Sequence, residues 1–256
     1  MTHAITKIEE AARHLVTARK ERRTIDRLPE NCRPDNDEEA LAVQRRVLEL
    51  LGDTIGAWKA SVPQPQGLFF APIPSSAVRT ASPCPILLQN GAARIEPEIA
   101  FKMARDLAPR EKPYTESEVR DAIASAHLVL ELMGGRYSNP KALPFPEWLA
   151  DSINNQGLFV GPTVPNAFDR NLEALFIKIS SPSGVVLTFD GKHPSGDPIK
   201  PLVWLANFLA GRGDSLKAGQ IVTTGSYAGA LDVPSGTPLT IEYGDAGSLS
   251  VLFTAV

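Results

Sequence analysis

The chain has 256 residues, 43% of them hydrophobic and 21% charged, with a formal net charge of −3. That length supports a substantial buried core, and the slightly acidic balance argues against a phosphate-tracking surface, so no nucleic-acid partner is expected. Two cysteines, Cys32 and Cys84, exclude a disulfide framework and a C-x-x-C metal site.

Ile5, Ile8, Ala12, Leu15 and Val16 fall at helical spacing among charged residues, so a first helix is expected here. This stretch has no apolar signal-peptide region, and no apolar run approaches the ~20 residues that span a bilayer. A cytoplasmic protein without a membrane partner is therefore expected. Asp35 to Glu38 reads as a second helix start, with Ala40, Val43, Val47, Leu48 and Leu51 as its apolar stripe and Gly52 as its end. Residues 1–53 form an N-terminal helical segment in this reading, an arm or an oligomer contact, and residues 54–256 a catalytic domain.

The texture then changes. Residues 54–61 read as a strand. Residues 62–85 carry six of the 22 prolines and are expected to form a long shaped connection. A short strand follows at 86–88. Residues 95–101 alternate with period two, which puts Glu96 and Glu98 on one face and Ile95, Ile99 and Phe101 on the other. Thr115-Glu-Ser-Glu118 is a capping box and predicts a helix to about residue 126, followed by a buried strand over 128–132. Helices are expected at 145–153 and 201–210. Further strands are expected at 158–161, 173–180, 184–190, 219–223, 238–243 and 248–254. Short strands separated by turns favour an α+β fold with a mixed β-sheet or β-roll.

Glu96 and Glu98 are roughly 6.6 Å apart along a strand face, close enough to share one hard cation. A strand with a solvated acidic face is the plainer reading. Glu131 ends the apolar run Leu128 to Met133, where an unpaired carboxylate is costly. A shared metal would satisfy it, and so would an ion pair with a lysine or with Arg136. No acid occurs from Thr54 to Ile95, while Lys59, Arg79 and Arg94 do. If that stretch lines a site, the site is electropositive and suits a carboxylate substrate. Lys59 follows Trp58 on a semi-buried strand. Burial would lower its pKa toward that of a proton shuttle; a snorkelling lysine is the alternative. Nothing resembles a serine-hydrolase elbow or a nucleotide-binding glycine loop.

The run Ile95-Glu-Pro-Glu-Ile-Ala-Phe101 with Ala104-Arg-Asp-Leu107 resembles the metal-binding strand of the fumarylacetoacetate hydrolase superfamily. It is most similar to the branch holding 2-keto-4-pentenoate hydratase and 4-oxalocrotonate decarboxylase. Supporting segments are Pro113-Tyr-Thr115, Glu131 with Arg136, Gly157-Leu-Phe-Val-Gly161, Pro201 to Asn207, Leu216 to Ser226 and Gly247 to Phe253. The resemblance implies that family's α+β fold, Glu96, Glu98 and Glu131 as ligands of Mg²⁺ or Mn²⁺, and Lys59 as general acid/base. It further implies that Gly225 and Ser226 help to form the substrate pocket, and Arg136 and Lys200 are candidates for carboxylate contacts. The chain departs from the branch in lacking an acid about twenty positions after Lys59 and in a longer Asp151–Gly157 segment.

The activity implied is a metal-dependent hydratase adding water to a 2-hydroxydienoic or 2-oxo-enoic acid. Rivals are a 4-oxalocrotonate-type decarboxylase, an acylpyruvate C–C hydrolase and a non-catalytic metal-dependent binder of organic acids. A small 2-oxo carboxylate is the expected partner, and a homo-oligomer the expected assembly.

Overall fold

The computed structural model describes residues 2–65 and 67–256, without the side chains of residues 2–5. Ile5, counted in the first apolar stripe, therefore lies outside the described side chains. The chain opens with α1 (Thr2–Lys20) and α2 (Asp37–Leu51). Asn36 caps α2 by accepting from the Glu39 N–H, and Gly52 ends it at φ 64°, a left-handed conformation that favours glycine. Ala11, Leu15, Ala40 and Val43 pack in one cluster with Leu149 and Ile153. Gln44 donates to the Leu149 carbonyl at 2.5 Å. The two helices thus rest on the segment that also carries Ile153.

Strand β1 (Ile55–Ala60) follows. The proline-rich stretch is not merely a connection: it holds β2 (Phe70–Pro74), β3 (Val78–Arg79) and β4 (Cys84–Ile86). Each lies at the end of a sheet, where a proline leaves no ladder donor missing. Next come β5 (Ala93–Met103), α3 (Glu116–Arg120), β6 (Ile123–Met133), α4 (Phe145–Ala150) and β7 (Asn155–Thr163). The Thr115–Glu118 capping box forms as expected. Its helix stops at Arg120, short of the expected residue 126, because pairing with β5 draws residues 123–126 into β6. The remaining elements are β8 (Ala174–Ser181), β9 (Gly184–Lys192), α5 (Ile199–Gly211), β10 (Ile221–Ser226), β11 (Leu231–Val233), β12 (Pro238–Tyr243) and β13 (Ser248–Ala255). Among these remaining strands and helices, β11 falls where no element was expected, as β2 and β3 did before it.

One sheet runs β2-β1-β10-β5-β6-β7-β3, with β11 also on β5; the other runs β4-β13-β12-β8-β9. Both mix parallel and antiparallel pairs or edges, as in the pairings β1–β10 and β13–β4 (parallel) against β5–β6 (antiparallel). Ile95, Ile99 and Leu130 from the first sheet share a core with Ile177, Ile241 and Phe253 from the second. The other face of the first sheet carries a smaller cluster of Ala57, Ala100, Val129 and Leu158. The acidic residues of β5 and β6 lie on this second face.

Candidate functional site

Strand register assembles the site. Glu96 on β5 is paired directly with Glu131 on β6, and Glu98 is two residues along from Glu96. Directly opposed residues share a face, where like charges repel. Lys59 is paired with Thr223 on β10, and Thr223 with Ala100 on β5, so Lys59 joins the same face. One carboxylate oxygen from each of Glu96, Glu98 and Glu131 lies within 4.8 Å of the other two. Glu98 and Glu131 are buried and Glu96 is half-buried.

The surroundings hold these oxygens in place. Lys59 Nζ donates to Glu131 Oε1 at 2.6 Å and to the Ile153 carbonyl at 3.3 Å. Asn155 Nδ2 donates to the same Glu131 oxygen at 2.9 Å. The Thr223 hydroxyl donates to Glu98 Oε2, as does the Gly225 N–H at 2.8 Å. That N–H is available because β10 shifts register between Thr223 and Ser226 and Gly225 adopts φ 121°. A Cβ at Gly225 would also meet Pro194 at 3.0 Å. Sequence reasoning missed Asn155 and Thr223, since neither carries a motif of its own.

Burial, then the charge of Glu131, pushes Glu96 up to about 7. Burial, then Glu131 and Glu96, pushes Glu98 up to about 8 against the hydrogen bonds from Thr223 and Gly225. Lys59 moves opposite to the sequence expectation. Burial pulls its pKa down, but Glu131, Glu96 and Glu98 together outweigh that and raise it. Three hard oxygen donors that repel one another suit a hard divalent cation, which would relieve the repulsion.

A cavity of about 330 Å³ opens onto this cluster, lined by Lys59, the three glutamates, Gly225 and Ser226. The Ser226 hydroxyl donates to the Gly229 carbonyl at 3.0 Å, back into its own turn. Ala60, Phe69, Met133, Trp148, Ile153 and Pro194 supply the apolar wall. The backbone runs left-handed through Ser152, Ile153 and Asn154 (φ 55°, 52° and 62°). Such a conformation is costly for a β-branched residue, and here it turns the Ile153 carbonyl toward Lys59.

Arg136 is not among the residues lining the cavity. It is buried, with Nε bonded to Asp151 Oδ1, Nη1 to the Gly134 and Asn155 carbonyls and Nη2 to the Asp151 carbonyl. Its donors are engaged in holding the 151–155 segment, which corrects the expectation of a substrate contact. Lys200 donates to the Ser195 carbonyl at 3.1 Å and also lies outside the lining. The electropositive wall expected from the acid-free stretch is reduced to Lys59: Arg79 is exposed, and Arg94 pairs with Asp232 at 3.5 Å.

The chain thus has a mixed two-sheet α+β fold with three converging carboxylates beside a half-buried lysine. Residues 45–252 match the family model described as fumarylacetoacetate (FAA) hydrolase C-terminal. The chain belongs to the fumarylacetoacetate hydrolase family. The 2-keto-4-pentenoate hydratase of Paraburkholderia xenovorans (strain LB400) is 26% identical over 257 residues, covering 96% of this chain and 94% of that protein. A 4-oxalocrotonate decarboxylase of a Pseudomonas species is 28% identical over 166 residues, 61% of this chain; the chain spans only 59% of that relative's length. The 4-oxalocrotonate decarboxylase from Pseudomonas putida G7, solved in complex with magnesium and adipate, superposes with a TM-score of 0.80 at 21% identity. That match covers 97% of this chain and 98% of the other. No described helix is long and apolar enough to cross a membrane.

Proposed function

We propose that this protein is a divalent-metal-dependent hydro-lyase that adds water to a 2-hydroxydienoic or 2-oxo-enoic acid, giving a 4-hydroxy-2-oxo acid. The observation that carries this reading is the meeting of Glu96, Glu98 and Glu131 with Lys59 in one cavity. Relatives named as hydratases that match nearly the full chain support it.

Glu96, Glu98 and Glu131 would hold Mg²⁺ or Mn²⁺, which supplies Lewis-acid stabilisation of enolate charge on a 2-oxo acid. Lys59 holds a proton at Nζ, within a field that favours the ammonium form, and delivers it during ketonisation. Glu131 and the Ile153 carbonyl fix the direction of that nitrogen. Phe69, Met133 and Trp148 shield the carbon skeleton from bulk water. Gly225 holds Glu98 through its backbone, so the turn it shares with Ser226 forms one side of the pocket.

Decarboxylation on the same scaffold is the second reading, favoured by the structural likeness to the decarboxylase. One pair of assays tests both. With Mg²⁺ and freshly generated 2-hydroxypenta-2,4-dienoate, the dienol absorbance is expected to fall faster than by spontaneous ketonisation, with 4-hydroxy-2-oxopentanoate as product. Absence of that product, together with CO₂ release from 2-oxohex-3-enedioate, would overturn the hydratase reading in favour of the decarboxylase.

A further inference from the structure

The cavity is unevenly built, and this bears on what part of a substrate lies where. Its charged groups form one cluster: Glu96, Glu98, Glu131 and Lys59. The rest of the lining is Ala60, Phe69, Met133, Trp148, Ile153 and Pro194, with Ser61, Gly225 and Ser226 as small uncharged exceptions, the Ser226 hydroxyl being bonded back to Gly229. Among the described residues lining the cavity, Lys59 is the only cation, and it is bonded to Glu131 at 2.6 Å. Arg136 and Lys200 are directed elsewhere. Phe69 belongs to an aromatic group: its ring centroid is 4.8 Å from Phe145 and 5.8 Å from Trp148, edge-on in the latter case. Met133 is 8% exposed. This wall is packed, ring against ring, and offers carbon to whatever lies on it.

A carboxylate placed against such a wall loses water and meets no cation; the buried Trp148 Nε1–H, which has no acceptor of its own, is a single neutral donor and does not balance a charge, whereas a hydrocarbon placed there is stabilised by burial. The charge balance points the same way. A dication and Lys59 would together neutralise the three glutamates, leaving no surplus positive charge for a second substrate carboxylate. We infer that the site selects 2-oxo acids with a single carboxylate and an uncharged hydrocarbon tail, and that Phe69, Met133 and Trp148 determine this selectivity by rejecting a distal carboxylate. The inference rests on the proposed binding of a 2-oxo acid at the glutamate cluster and adds to it the chemistry of the far end.

The test uses the full chain loaded with Mg²⁺ and unreactive 2-oxo acids, with binding followed by titration calorimetry at fixed pH and salt. Pyruvate reports the head group alone. 2-Oxohexanoate and 2-oxohexanedioate have the same chain length and differ in the distal carboxylate. The expected order is 2-oxohexanoate tighter than pyruvate, and tighter than 2-oxohexanedioate by about tenfold or more, a ratio that matches about 1.4 kcal/mol of discrimination. Equal or tighter binding of the dioate would overturn the inference while leaving the 2-oxo-acid reading intact. Binding of none of the three would overturn both. Phe69→Arg should move the preference toward the dioate, while Phe69→Leu should preserve it. Should the arginine variant fail to fold, the wild-type comparison decides alone.

Discussion

Lys59 Nζ donates to Glu131 Oε1 at 2.6 Å, across 72 residues of chain, and this bond places the cavity's cation inside its acidic cluster. The carboxylates raise the lysine pKa above its ordinary value, in spite of burial. Lys59 therefore holds its proton until substrate and metal alter the field around it. Lys59→Met, which keeps most of the side chain's volume and removes the ammonium, should lower turnover of the dienoate by about 100-fold or more, the scale of general acid–base catalysis. Mg²⁺ binding should survive. Steady-state kinetics beside metal titration separate the two effects, and retention of full turnover would remove Lys59 from the mechanism.

Metal affinity should follow the carboxylates and their supports in order. Glu98→Gln and Glu131→Gln each remove a charged oxygen donor and should weaken Mg²⁺ binding more than Thr223→Val, which deletes only the hydroxyl bonded to Glu98. Loss of such a supporting bond typically costs about 10–100-fold in affinity. Calorimetric titration of the three variants checks the order. Unchanged affinity in Glu98→Gln would refute the ligand assignment.

Without metal, the cluster should show itself in the pH dependence of stability. Glu96 and Glu98 are raised to about 7 and about 8, above the ordinary value of 4.5. For groups raised in this way, the stabilising difference is full below the unfolded value and is lost as pH rises through the folded values. Chelator-treated protein should therefore lose thermal stability between about pH 4.5 and 8, most steeply near about pH 6, where both carboxyls are ionised in the unfolded chain and still protonated in the folded one. Saturating Mg²⁺ should flatten that slope by favouring the ionised carboxylates and should release protons on binding. Melting curves across this range, with and without Mg²⁺, provide the measurement.

Much of this was legible in the chain. The period-two run fixed the common face of Glu96 and Glu98, and the isolation of Glu131 in an apolar run marked it as needing a partner. What alternation along one strand cannot encode is register: that Glu96 lies opposite Glu131, and Lys59 level with Thr223, follows only once β5, β6, β1 and β10 pair. The proline-rich stretch misled for a related reason. Pro72, Pro74 and Pro85 break the pattern of a central strand yet suit edge strands, and edge position is a property of the assembled sheet. Arg136 drew attention by its spacing from Glu131, but its role depends on Asp151, which reaches it only through the fold.

Arg136 and Asp151 form a buried ion pair, with side chains 5% and 2% exposed, and Asp151 Oδ2 also accepts from the Arg136 backbone N–H at 2.7 Å. Removing one partner leaves the other charged and unpaired in the interior, which typically costs about 3–5 kcal/mol. Arg136→Met and Asp151→Asn should each destabilise the fold on that scale in denaturant melts. The effect should reach the cavity as well, because the same pair holds the segment that presents Ile153 to Lys59 and Asn155 to Glu131. Gly135→Ala provides an independent approach to the same segment: a Cβ there would come within 2.4 Å of Asn154 Oδ1 and 3.1 Å of Asp151 Oδ2. The alanine variant should retain all three glutamates and Lys59 yet turn over more slowly, with kcat reduced more than Mg²⁺ affinity. Wild-type kcat in folded Gly135→Ala would show that the segment's position does not control the lysine.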